Sequence, residues 1–154
     1  MILNVYNLPI DISMKILVSA YACQPNNGSE PMAGFEVPSE LAKKGHSVTI
    51  ITRTNNRNDI EAFFLNNPKS RNLNFFYYDL PSWAKFWKKG SRGIRSYYFI
   101  WQIGAYYLAK KLHKKINFDC VHHVTFVSFL LPSFMGNLGI PFIFGPISTN
   151  SLIP

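Results

Sequence analysis

Long apolar runs are missing from this chain. The longest, residues 97–108, spans 12 residues and is interrupted by Gln102 and Gly104, against the roughly 20 that a helix needs to cross a bilayer. No membrane-spanning helix is expected. A basic leader is missing too. The opening MILNVYNLPIDISMK has no cationic start, and its apolar residues are broken by Asn4, Asn7 and Pro9, so no secretory signal is expected. Cysteine is scarce: Cys23 and Cys120 are too few for a disulfide framework or a metal cage, and they suit two small buried side chains in a reducing compartment. Internal repeats and low-complexity tracts are absent as well.

Acid is scarce beside base, and the charge is unevenly distributed. The 154 residues hold 16 Lys and Arg against 8 Asp and Glu, a formal net charge of +8. Nine of those 16 cations lie in residues 83–115, which contain no carboxylate. The rest of the chain carries seven cations and all eight acids, or −1. A near-neutral body therefore bears one cationic segment, and that segment also holds Trp83, Trp87 and Trp101. With 47% hydrophobic residues the chain belongs among globular proteins, and its length fits one domain.

The pattern along the chain alternates. Residues 15–21 (KILVSAY) form a short apolar run ended by a loop rich in Pro, Asn and Gly, as a buried strand is. Further strands are expected over 47–52, 73–78, 119–123 and 141–144. The sequence predicts helices over 32–44, 59–65, 94–115 and 126–138. In the first, Pro38 removes a backbone donor and is expected to kink or break the helix, with Ser39 capping the second piece. In the third, Ile94, Tyr98, Trp101, Ala105, Leu108 and Leu112 step by four and three along one stripe. Lys110, Lys111, Lys114 and Lys115 lie in its last turns, where cations complement the helix dipole. The fourth contains Pro132. This alternation implies an α/β fold, a Rossmann-like three-layer α/β/α domain with a mainly parallel sheet. Residues 1–13 read as an N-terminal extension and 14–154 as the domain. Ligands of such sheets bind at the carboxyl ends of the strands, which directs attention to the loops 22–33, 54–56, 79–93 and 122–125.

Within the first loop, PNNGSEPMAG joins a strand to a helix N-terminus, where small residues let backbone N–H groups approach an anion. Gly28 and Ser29 are the candidates for that role. The loop is neither a Walker A loop nor a GxGxxG fingerprint, and a plain turn capped by Ser or Glu is the competing reading. His122 and His123 close the fourth strand. Neighbouring strand residues point to opposite faces, so the two rings do not both serve one site. A core histidine is the competing reading for each, and no third or fourth metal ligand lies close in sequence. Arg53 and Arg57 flank the end of the second strand as candidate anion contacts or as solvated surface.

In WAKFWKKGSRGIRSYYFIWQ, residues 83–102, rings alternate with cations. Trp83, Lys85, Trp87, Lys88, Lys89, Arg92 and Arg95 suit an anionic membrane surface or a lipid-linked acceptor. A core helix with a solvated cationic face competes with that reading. Single-stranded nucleic acid, tracked by stacking and phosphate contact, is the least favoured partner.

The segments MKILVSAYACQPNNGSEPMAG, LAKKGHSVTIITRTNNR, FDCVHHVTF and PFIFGP, in that order over residues 14–146, resemble the N-terminal domain of a retaining glycosyltransferase of the GT-B fold, family four. The resemblance implies transfer of a sugar from a nucleotide-sugar donor to a glycan or lipid-linked acceptor, with retention of configuration and with neither cofactor nor metal. It implies that this domain forms the acceptor side of the cleft, while a second Rossmann-like domain holds the donor nucleotide. It implies that the loop of Gly28, Ser29 and Glu30 lies near the donor phosphates. It further implies that His123 or His122 contacts the donor sugar, His123 being nearer the strand end.

Where the family has a glycine-rich stretch after the GP turn, this chain reads GPISTNSLIP, and the 154 residues do not include the donor-binding domain. Alone they are expected to be inactive. The resemblance places the protein in polysaccharide or glycan assembly, cytoplasmic and peripheral on the inner face of the cell membrane. The alternative is a non-catalytic Rossmann-like or flavodoxin-like module that docks on a membrane or a partner through the basic aromatic segment.

Overall fold

The computed structural model describes residues 13–81, 94–126 and 133–146. Among them run β1 (Lys15–Ser19), α1 (Ser29–Lys43), β2 (Ser47–Thr52), α2 (Arg57–Asn66), β3 (Leu73–Tyr77), α3 (Ile94–Ile116), β4 (Cys120–His123) and β5 (Phe142–Phe144). Two 3-10 turns, Thr54–Asn56 and Phe134–Leu138, complete the order. The five strands pair in parallel as β3-β2-β1-β4-β5. Period-two alternation divides the apolar residues between the two faces of the sheet. Leu17, Ile51 and Val121 join the core under α3, while Ile16, Val18, Ile50 and Cys120 join the core under α1 and α2. The result is the Rossmann-like three-layer α/β/α domain that the strand–helix alternation predicts.

Two helices depart from expectation. α1 starts at Ser29 and runs unbroken through Pro38. The proline leaves the Gly34 carbonyl without its helical N–H donor, and the Cys23 thiol donates to that oxygen at 3.3 Å instead. Ser39 does not cap a second piece; its hydroxyl donates back to the Phe35 carbonyl at 2.7 Å. A helix over 126–138 is not what the described residues show. Phe126 has φ 58°, and the helical residues further on are the short turn Phe134–Leu138, opened by the Ser133 hydroxyl accepting from the Met135 N–H and closed by Gly139 at φ 77°. The intervening residues 127–132 lie outside the described set.

α3 follows the expected stripe. Tyr98, Trp101, Ala105 and Leu112 are buried against the sheet, each large side chain contributing roughly 2 kcal/mol of hydrophobic stabilisation. The Trp101 indole donates to the Tyr78 carbonyl at 2.9 Å, which satisfies its one polar group.

Candidate functional site

Chain order within the sheet locates the site. β1 leads through α1 to β2 on one face, and β3 leads through α3 to β4 on the other, so the connections reverse between β1 and β4. A crevice at the carboxyl ends of such a strand pair is the usual ligand position in this architecture. The loop after β1, the first turn of α1 and the loop after β4 meet there. Glu30 Oε1 accepts the Phe126 N–H at 2.6 Å, and Thr125 Oγ1 accepts the Ala22 N–H at 3.1 Å. Tyr21 packs edge-on between Phe126, Tyr98 and Trp101, with ring centroids 4.7, 5.0 and 5.1 Å away.

Gly28 precedes α1 with φ 61° and ψ 176°, a conformation that only glycine adopts without strain. No side chain caps the helix start, so the first-turn N–H groups beside Gly28 and Ser29 leave a positive dipole end at the crevice. Glu30 is committed to Phe126.

The two histidines differ sharply. His123 is fully buried. Its Nε2 lies 2.9 Å from the Tyr98 hydroxyl and its Nδ1 3.0 Å from the Ser133 hydroxyl. Tyr98 donates to the Phe126 carbonyl and Ser133 accepts from Met135. One proton arrangement satisfies all four contacts: Nε2–H donates to Tyr98, and Ser133 donates to Nδ1. Burial pushes this imidazole down to about 4, the Thr125 backbone partly opposing it. His122 is half-buried, and its Nε2 lies 2.9 Å from the Gly145 carbonyl. Burial lowers its pKa as well.

Both arginines are engaged. Arg53 pairs with Asp79 at 3.4 Å and lies 5.0 and 5.2 Å from the ring centroids of Tyr21 and Tyr97. The Tyr97 hydroxyl donates to the same Asp79 oxygen. Arg57 pairs with Glu61 at 3.3 Å and sits 4.5 Å above the Tyr77 ring.

Sequence reasoning missed Asp79 and Tyr98 as site residues. A signal for the first was present, since Asp79 is the one acid between Glu61 and Asp119 and it follows a strand directly. Tyr98 read as a core residue, and it is one; its hydroxyl is what matters. Trp83, Lys85, Trp87, Lys88, Lys89 and Arg92 lie outside the described residues. Arg95 belongs to α3, and nothing of its side chain is described.

A cleft of about 390 Å³ lies at the other end of the sheet, between α1 and α2, lined by Phe35, Phe63, Phe64, Lys43 and Lys69. It holds none of the candidate site residues. Among the described residues no cluster of His, Cys, Asp and Glu is placed to hold a metal ion, and no helix is long and apolar enough to cross a membrane. No protein-family model matches the chain, and no curated protein matches it. What the fold defines is a class: a Rossmann-like α/β domain with a parallel sheet whose connections reverse between β1 and β4.

Proposed function

We propose that this domain is the acceptor side of a retaining GT-B glycosyltransferase that passes a sugar from a nucleotide-sugar to a glycan or lipid-linked acceptor at the cytoplasmic face of a membrane. The observation that supports the reading best is the Glu30–Phe126 junction. It joins the loop of Gly28 and Ser29 to the end of the strand carrying His122 and His123, two groups that the sequence resemblance assigns to one reaction centre.

In such a reaction the leaving diphosphate and an oxocarbenium-like sugar need electrostatic stabilisation, which oriented amides at a helix start supply. Of the two histidines, half-buried His122 is the one a sugar hydroxyl reaches, whereas His123 holds its surroundings together through Tyr98 and Ser133. A second domain holds the nucleotide, and the 154 residues alone transfer no sugar. The second reading, a binding module without chemistry, draws on the engagement of His123 and Arg53 by neighbouring side chains.

The test is an NMR titration of the isotope-labelled protein with short-chain polyprenyl-diphosphate saccharides and, separately, with free nucleotide-sugars. Both classes carry a diphosphate-linked sugar, and either is expected to shift the amides of Gly28, Ser29, His122 and Phe126. If neither class of compound moves them, the acceptor-side reading fails. Sugar transfer by the 154 residues alone would overturn the division of labour between two domains.

A further inference from the structure

Helix α3 carries two apolar stripes, and the core uses one of them. Tyr98, Trp101, Ala105 and Leu112 face the sheet and are buried. On the far side Phe99, Ile103 and Tyr107 recur every four residues and are 39%, 37% and 65% exposed. Lys110 and Lys114 continue the same side, with Lys111 at its margin. At about 100° per residue, Phe99, Ile103, Tyr107, Lys110 and Lys114 fall within an arc of about 80° whose centre is roughly opposite Trp101 and Leu112.

Single apolar residues on a helix surface are ordinary, but an aligned row of them is not. This row runs straight into three lysines, on a helix without one carboxylate. Among the described residues no Asp or Glu pairs with Lys110, Lys111 or Lys114. The neighbouring turn widens the patch, since Phe134 packs on Phe99 with centroids 5.3 Å apart.

We propose that this outer stripe of α3 is the surface on which the domain lies against an anionic lipid bilayer. The helix rests parallel to the membrane, with Phe99, Ile103 and Tyr107 in the boundary between headgroups and acyl chains and the lysines on anionic headgroups. From Phe99 to Lys114 the stripe is about 22 Å long. Tyr107, with an apolar ring and a polar tip, suits that boundary. Two other occupants fit less well. A protein interface is depleted in lysine at its centre, and these lysines bring no acids with them. A single strand of nucleic acid stacks on rings, and the middle of this stripe is Ile103. The proposal uses none of residues 83–93 and does not rest on the glycosyl-transfer reading; it holds or fails for a domain of any activity.

The experiment is vesicle flotation of the full chain with phosphatidylcholine alone and with phosphatidylcholine containing about one-third phosphatidylglycerol, at low and high salt. Wild type is expected to float with the anionic vesicles at low salt. Lys110→Gln/Lys111→Gln/Lys114→Gln is expected to weaken that binding about a hundredfold, and Ile103→Ser/Tyr107→Ser about tenfold. Both variants should keep the wild-type circular dichroism and melting temperature. Lys43→Gln/Lys44→Gln, at the end of α1, should float as wild type does. The proposal is overturned if wild type prefers anionic vesicles no more than neutral ones, or if either stripe variant floats unchanged. It is equally overturned if the stripe variants instead abolish binding to oligothymidylate or convert a dimer to a monomer.

Discussion

Glu30 and Phe126 stand 96 positions apart in the chain, and the Glu30 carboxylate accepts the Phe126 N–H at 2.6 Å. One hydrogen bond thus fastens the first turn of α1 to the residue that leaves β4 in a left-handed conformation. That side chain adds to the β1–β4 pairing and the Ala22–Thr125 hydrogen bond in holding the two halves of the crevice at a fixed separation.

Removing that carboxylate should release the second loop. Glu30→Ala is expected to cost about 1 kcal/mol, a charged hydrogen bond discounted for its exposure, and to speed hydrogen exchange at the Phe126 amide about tenfold. Glu30→Gln keeps an acceptor and should fall between wild type and alanine. An unchanged exchange rate in the alanine variant would mean that the loop is held elsewhere.

The buried imidazole of His123 makes stability depend on pH. Its pKa falls from 6.5 to about 4 on folding, chiefly because burial penalises the charged ring. Between those values the unfolded chain binds a proton that the native state does not, so stability rises with pH. The contribution is complete above about 6.5 and is lost progressively as pH falls towards 4, about 3 kcal/mol in all. Urea denaturation across that window should show a slope that shrinks in His123→Gln. Parallel profiles for the two proteins would rule the histidine out as the source.

Gly34 is set by contact rather than by backbone angle. A Cβ at this position would sit 2.1 Å from the Ala22 carbonyl oxygen, and backbone does not yield cheaply. Gly34→Ala is expected to destabilise by about 3 kcal/mol through overpacking, read as a lowered urea midpoint. A loss under about 0.5 kcal/mol, the size of a neutral surface change, would show that α1 can stand off from the loop.

Cys23 and Pro38 should be energetically coupled. The thiol supplies the Gly34 carbonyl with the donor that the proline withholds, and the same burial pushes the thiol pKa up to about 12, so it stays protonated. Cys23→Ala is expected to cost about 1 kcal/mol more in the wild-type background than in Pro38→Ala, where the new N–H can take over. A double-mutant cycle with no interaction energy would contradict this account.

Some of this was legible in the sequence and some was not, and the division follows the range of the interactions. Each strand was readable because its apolar run and its bounding turn lie within about ten residues. The stripe of α3 was readable for the same reason. The continuity of α1 was not, because what rescues Pro38 is Cys23, outside the helix altogether. The short turn at Phe134–Leu138 was hidden in an apolar stretch whose helical reading ignored Ser133 and Gly139 as start and stop signals. Of the candidate site, the residue types and their loops could be named in advance. Which ring nitrogen, hydroxyl or acid each one faces could not, since Asp79 meets Arg53 through the pairing of β2 with β3, and Tyr98 meets His123 through the packing of α3 on the sheet.

The tight seat of Gly34 on Ala22 bears on how the crevice can move. Ala22 has α1 pressed against its carbonyl and gives its N–H to Thr125, so the start of the β1 loop is not free to swing as a flap. An arriving ligand meets a surface already in place and orders little chain on binding, which keeps the entropic cost of association low. Any larger adjustment has to carry the whole of α1 with it as a rigid rod.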